Sequence, residues 1–319
     1  MESLRRLPFA FAVIAAVLMP PSAMAQLRID YYASICPNLE TIIRSSVKQS
    51  MAQSPFSGPA ALRLFFHDCA VRGCDASILI VNSNGDDEWR STDNQSLKPE
   101  GFQMIMNAKA AVDSDPKCKY KVSCADILAL AAREAVYQSG GPNYPVELGR
   151  YDGSLSTRDS VVLPRADFNL DQLNSYFAAL GFTQTEMIAL SGGHTIGTAD
   201  CPIFQNRIGT DPTMDTAFAN QLRSTCNANN PTSRFAFFHE TAAGGFDNFY
   251  FRKLQVGRGL LGSDQVLYTD TRARTTVDNY ATNQAAFFAD FVTAMTKLGR
   301  VGVKTAATGE IRRDCRFPN

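Results

Sequence analysis

Histidine is scarce in this sequence. His67, His194 and His239 are the only three in 319 residues, so imidazole chemistry has few places to sit. Neither sign of charge dominates: Lys and Arg number 31, and Asp and Glu also number 31. That balance leaves no basic footprint for nucleic acid and no polybasic run for a membrane surface. Beyond the first 25 residues no apolar run is long enough to span a bilayer. Alternation of the β type is rare, and no repeat, low-complexity tract or interdomain linker breaks the chain. Zinc clusters are poorly served, because no CxxC or paired-histidine spacing occurs.

The start of the chain reads as a secretory leader over residues 1–25. Arg5 and Arg6 give it a positive end, residues 8–19 a short apolar stretch, and Ala23-Met24-Ala25 a small-x-small cleavage site. Pro20-Pro21 argues against a buried helix there. The mature chain is expected to begin at Gln26. Export changes the meaning of the eight cysteines, which are expected to form four disulfides in an oxidising compartment. Eight cysteines allow roughly a hundred connectivities, and spacing alone does not choose among them.

With 45% hydrophobic residues the chain has ample material for one large core. Apolar residues recur at helical spacing over residues 39–53, 60–69, 104–112, 123–138, 170–180, 183–190, 216–226 and 282–298. Thr183 and Glu186 are spaced as a capping box, with Gly192-Gly193 as the expected stop of that helix. Long polar loops lie between, over residues 82–100, 140–167 and 227–245. The pattern implies one helical domain lobed around a central crevice.

Two segments carry chemistry. In Leu62-Arg63-Leu64-Phe65-Phe66-His67-Asp68-Cys69, Arg63 and His67 lie one helical turn apart on one face. A guanidinium and an imidazole aimed at one space suit a reaction that moves a proton while negative charge develops. The spacing alone is equally compatible with a surface arginine beside a core histidine. Asp68, Asp75 and Ser77 bracket the short Cys69–Cys74 turn and offer hard oxygen ligands of the kind calcium takes, although solvated turn acids read the same way. In Leu190-Ser-Gly-Gly-His-Thr-Ile-Gly197 a helix runs into two glycines and then presents His194. The glycines suit close approach of a flat cofactor; a lone histidine is also commonly structural.

Together, Phe65-Phe-His-Asp-Cys69 and Leu190-Ser-Gly-Gly-His-Thr-Ile-Gly197 resemble the signatures of the class III secretory plant peroxidases, within the haem peroxidase superfamily. The likeness runs through Cys36-Pro37, Val122-Ser-Cys-Ala-Asp-Ile-Leu128, Gly149-Arg150, Phe246-Asp-Asn248, Ser263-Asp-Gln265 and Gly309-Glu-Ile-Arg-Arg-Asp-Cys315. It implies an all-α, two-lobed haem peroxidase domain over residues 26–319, with minor β and haem b in the crevice. His194 would be the axial ligand of the iron, and Asp264 would accept the other ring proton of that histidine. Opposite, His67 would move the peroxide proton and Arg63 would stabilise the charge that develops. Asn94 would fix His67, Glu88 would hold Asn94, Phe66 would border the cofactor, and Pro164 would meet the donor. Asp126 and Arg150 match an ion pair of the family.

The resemblance further implies disulfides Cys36–Cys118, Cys69–Cys74, Cys124–Cys315 and Cys201–Cys226. It implies an upper calcium ion on Asp68, Val71, Gly73, Asp75 and Ser77. A lower calcium ion would use Thr195 and Asp247, but here His239 replaces a carboxylate and Ala242 a hydroxyl. Glu240 or Thr241 would substitute only if that loop shifts by one residue. That site is therefore expected to be weak, altered or empty.

Ala70, Tyr151 and Ala166 also depart from the family pattern, around the donor region. The implied partners are hydrogen peroxide and small aromatic donors, with no nucleic acid and no membrane, on a monomer. The implied setting is the extracellular space or plant cell wall, because no vacuolar extension follows Asn319. The implied role is peroxide chemistry, including the response to oxidative stress. Two rivals stand beside this reading: a haem-binding scaffold with feeble turnover, and a secreted metal hydrolase built on the three histidines.

Overall fold

The computed structural model describes residues 27–227, 234–239 and 245–319. The expected leader and its cleavage point lie outside them, as do Glu240, Thr241 and Ala242. Twelve helices order the described residues: α1 (Leu39–Gln53), α2 (Ser57–Cys69), α3 (Pro99–Ser114), α4 (Cys124–Gln138), α5 (Leu170–Ala179), α6 (Gln184–Ser191), α7 (Cys201–Phe204), α8 (Thr216–Thr225), α9 (Phe249–Gln255), α10 (Gly262–Thr269), α11 (Thr271–Thr282) and α12 (Gln284–Leu298). The only sheet among the described residues pairs β1 (Thr198–Asp200) antiparallel with β2 (Phe235–Phe237). The fold is mostly α. No helix among the described residues is long and apolar enough to cross a membrane.

Local sequence explains the main boundaries. Helix α1 buries Leu39, Ile43 and Val47 on one stripe and ends at the extended Ser54. Helix α4 is capped by the Ser123 hydroxyl, which accepts from Asp126 N, and is buried almost all round. Thr183 and Glu186 do form a reciprocal capping box at the start of α6. The glycines after α6 are not the left-handed stop the sequence suggested. Gly192 is right-handed, and the chain continues as a 3-10 turn over Gly192–Thr195. The expected helix over residues 282–298 forms as α12, starting after Asn283, whose side chain caps it at Ala286 N; α11, immediately before it, is not among the expected helices.

Helices α1 to α4 form one lobe, with α2 packed between α3 and α4. Helices α5, α6 and α9 to α12 form the other, and α7, α8 and the small sheet close around a separate apolar cluster centred on Phe204, Phe218 and Leu222. The C-terminal segment crosses back to the first lobe, where Val81 N donates to Arg316 O and Asp152 N to Glu310 O. All four implied disulfides are formed, and no cysteine is free. Asp126 and Arg150, both buried, pair at 2.8 Å, and Tyr32 donates to the same carboxylate at 2.9 Å. That bond set ties the N-terminal segment, α4 and the loop after it at one point.

The two lobes meet where α2 faces the segment after α6. A Cβ on Gly197 would sit 2.9 Å from Pro59 Cβ, and one on Gly193 would lie 3.7 Å from Leu62 Cδ2. Those contacts bring the N-terminal half of α2 against the turn that carries His194. Gly192 serves packing rather than cofactor approach, since a Cβ there would strike the Phe287 ring at 2.4 Å.

Candidate active site

On the α2 side, His67 is 6% exposed and its Nδ1 lies 2.6 Å from Asn94 Oδ1. The amide of Asn94 is oriented by its other end, because Nδ2 donates to Glu88 O at 2.7 Å. Asn94 Oδ1 therefore accepts, His67 Nδ1 carries the proton, and Nε2 is left with its lone pair. Arg63 Nε donates to that Nε2 at 3.1 Å. Burial first, then the Arg63 charge, push the His67 pKa down to about 3. The result is a neutral imidazole with a basic nitrogen beside a fixed cation.

Glu88 holds Asn94 through its backbone carbonyl and not through its carboxylate. The carboxylate is buried with both oxygens unpartnered, and burial pushes its pKa up to about 8. The sequence also gave no reason to single out Ser96, which grips Arg63 twice: Nη1 donates to Ser96 O and Nη2 to Ser96 Oγ, each at 2.9 Å. Two residues on, Lys98 Nζ pairs with Asp200 Oδ1 at 2.5 Å. That ion pair joins the loop after Asn94 to β1, and so bridges the two sides of the crevice. Such partners leave no signature in spacing, because loop geometry decides which residue reaches across.

On the opposite side, His194 Nδ1 lies 2.8 Å from Asp264 Oδ1. Asp264 is 1% exposed and also accepts from Tyr250 Oη at 3.0 Å and Leu261 N at 3.1 Å. A buried, triply bonded carboxylate on Nδ1 fixes the ring tautomer and leaves Nε2 as the donor nitrogen. The His194 side chain is 39% exposed and lies flat on Phe238, with ring centroids 4.4 Å apart. The residues present fit an iron porphyrin: an oriented, electron-rich imidazole on one side and a neutral base with a cation on the other. Phe66 is half-buried, stacked on Phe177 at 5.9 Å. Pro164 is half-buried in a loop tied to the end of α2, since Tyr176 Oη lies 3.0 Å from Val162 O and 3.3 Å from Ala70 O.

The upper calcium residues also fit a cation. Asp68 and Asp75 are each 1% exposed, and Ser77 Oγ is buried without a hydrogen-bond partner. Burial, then the neighbouring Asp75 charge, hold the Asp68 carboxyl well above the usual range; burial raises Asp75 as well. Val71 and Gly73 close the loop, and Gly73 at φ +100° passes so near Gly302 that a Cβ would lie 2.4 Å from its carbonyl oxygen. The two acids of the loop have the buried Glu88 carboxylate within electrostatic reach. No group of three or more His, Cys, Asp or Glu side chains is placed to hold a metal ion among the described residues.

The lower residues fit poorly. Thr195 Oγ1 donates to Asp247 Oδ1 at 3.1 Å, and that oxygen also accepts from Phe249 N at 2.8 Å. His239 Nε2 stands 3.9 Å from Asp247 Oδ2. One oxygen of the described carboxylate is thus occupied by two protein donors, and an imidazole faces the other.

A family model described as Peroxidase matches residues 43–283. The chain is similar to Peroxidase 16 of Arabidopsis thaliana, at 50% identity over 317 residues, covering 96% of this chain and 97% of that one. Peroxidase 45 of the same plant is 50% identical over 308 residues, covering 94% of each chain. Peroxidase 73 is 46% identical over 312 residues, covering 95% of each.

Proposed function

The chain belongs to the class III plant peroxidases, and on that premise we propose that it holds haem b at His194 and oxidises small phenols with hydrogen peroxide outside the cell. One observation carries the reading: the two imidazoles of the crevice are tuned in opposite senses. His194 leans on a carboxylate, which makes it an electron-rich ligand for iron. His67 leans on an amide oxygen, which leaves it neutral and basic at Nε2. Haem iron, when bound, supplies the redox chemistry that accepts oxidising equivalents from peroxide and passes them singly to donors.

The protein's own part is proton handling and charge. His67 Nε2 takes the proton from the attacking oxygen of hydrogen peroxide and returns it to the departing oxygen, which leaves as water. The Arg63 guanidinium, held by Ser96, stabilises the negative charge that builds as the O–O bond breaks. Asn94 keeps the proton on His67 Nδ1, so that Nε2 stays available. Pro164 borders the space where the donor ring arrives, and Phe66 borders the haem.

The test is coupled turnover. Protein reconstituted with haem and supplied with peroxide and guaiacol should oxidise two donor molecules per peroxide consumed. A protein that takes up haem yet leaves both reagents untouched is a scaffold, and the proposal fails. Secretion is supported by eight cysteines placed for four disulfides, which persist in oxidising compartments.

For metal content we propose one calcium ion, on Asp68, Val71, Gly73, Asp75 and Ser77. Metal analysis of purified holoprotein should find one tightly held calcium per chain, and its removal by chelator should lower the melting temperature as two buried carboxylates lose their counter-charge. Two tightly held ions would contradict the poor fit of Thr195, Asp247 and His239.

A further inference from the structure

The Lys98–Asp200 ion pair has no part in the peroxide chemistry, yet short stretches of chain tie it to both imidazoles. Lys98 lies four residues beyond Asn94, which fixes His67, and two beyond Ser96, which grips Arg63. Asp200 lies six residues beyond His194, at the end of β1. Their side chains meet at 2.5 Å and are 31% and 28% exposed. The pair therefore stands at the rim of the crevice, partly in water and partly against protein. Asp200 is near enough to the interior for its charge to act on the buried Arg63 guanidinium.

This part of the rim has a definite place along α2. Phe56, just before α2 begins, packs on Phe235 with ring centroids 5.4 Å apart and on Phe237 at 6.5 Å. Phe235 is the residue opposite Asp200 in the pairing of β1 with β2. The loop of Pro164 is tied to the other end of the helix, where Tyr176 Oη reaches both Ala70 O and Val162 O. Thirteen helical residues, about 20 Å of helix, thus separate the charged rim from the donor rim.

Haem b carries two carboxylates on one edge of an otherwise apolar disc. Burying that edge without counter-charge is costly, so it belongs where the crevice offers a cation. Arg63 is already committed, since Nε, Nη1 and Nη2 each have a partner. Lys98 has more to give: an ammonium carries three N–H donors, and Asp200 Oδ1 takes one of them. Building on the reading of the chain as a haem peroxidase, we infer that Lys98 binds a carboxylate of the haem, and that Asp200 steadies Lys98 while repelling that same carboxylate. Lys98 tightens the hold on the cofactor and Asp200 loosens it. Anchoring at the start of α2 leaves the donor rim, at its far end, open.

The test is release of cofactor from the loaded protein to an excess of a haem-scavenging apoglobin, followed at the Soret band, with haem and with its dimethyl ester. Lys98→Met should speed the release of haem by about tenfold to a hundredfold, the worth of one charge-assisted hydrogen bond, and leave release of the ester unchanged. Lys98→Arg should restore retention. Asp200→Asn keeps an oxygen for Lys98 and removes only the like charge, so it should slow the release of haem and not that of the ester. A pair that merely joins the two sides of the crevice gives another pattern: both variants speed release, of haem and ester alike. That pattern, or haem released by Lys98→Met at the wild-type rate, would overturn this inference alone. A wild type that takes up no haem would sink it together with the peroxidase reading.

Discussion

His67→Ala slows the reaction of the haem-loaded protein with hydrogen peroxide by about 10²–10⁴-fold, the usual worth of a general acid–base group, and more if both proton steps fail together. The expectation follows from one chain of bonds. Glu88 O orients the Asn94 amide, Asn94 Oδ1 holds the proton on His67 Nδ1, and Nε2 is left as the only base beside Arg63. Alanine leaves Arg63 gripped by Ser96 but removes the group that shuttles the proton. Haem uptake should be unaffected, because the iron ligand is on the other side of the crevice. Stopped-flow mixing with peroxide reads the rate directly, and a variant that reacts at full speed would end the acid–base assignment.

The pH dependence has a definite sign. The base works when neutral, and His67 is pushed down to about 3 by burial first and Arg63 second. The peroxide reaction of the wild type should therefore stay flat from neutrality through mild acid and fall only as pH approaches that value.

Much of this site was legible in the sequence, for identifiable reasons. Arg63 and His67 share a helical face, so their spacing alone put them together. The boundaries of α1 and the box at Thr183–Glu186 follow from local rules that tertiary structure did not override. His194 and Asp264 stand seventy residues apart. No local rule joins them, and only family resemblance did.

The failures have causes too. Helix α11 is rich in threonine and polar residues, although Ala273, Val277, Tyr280 and Ala281 keep a buried stripe that closer attention to period would have found. Helix α9, at seven residues, is too short for periodicity to register. Gly192 looked like a helix stop or a cofactor seat, yet the Phe287 ring explains it, and ring packing across lobes cannot be read from a dipeptide. Glu88 was matched to Asn94 without the atom that holds it, because family motifs name residues and not backbone carbonyls. Ser96 was missed since its work is to hold a side chain from another loop.

His194→Ala should cost the protein its haem. The imidazole is the ligand best prepared for iron in the described structure: Asp264 accepts from Nδ1, Tyr250 and Leu261 N fix Asp264, and Phe238 supports the ring. Loss of a partner such as Asp264 alone typically costs about 10–100-fold in metal affinity or activity, so loss of the ligand itself should exceed that. The crevice walls would still enclose apolar surface, so any residual uptake should lack the sharp spectrum of an axially ligated haem. The deciding measurement is titration of haem into the apo wild type and His194→Ala, followed by visible absorption. The account predicts one haem per wild-type chain with a sharp Soret band, and weak uptake with a shifted, broadened band in the variant. Identical uptake and identical spectra in both would contradict it.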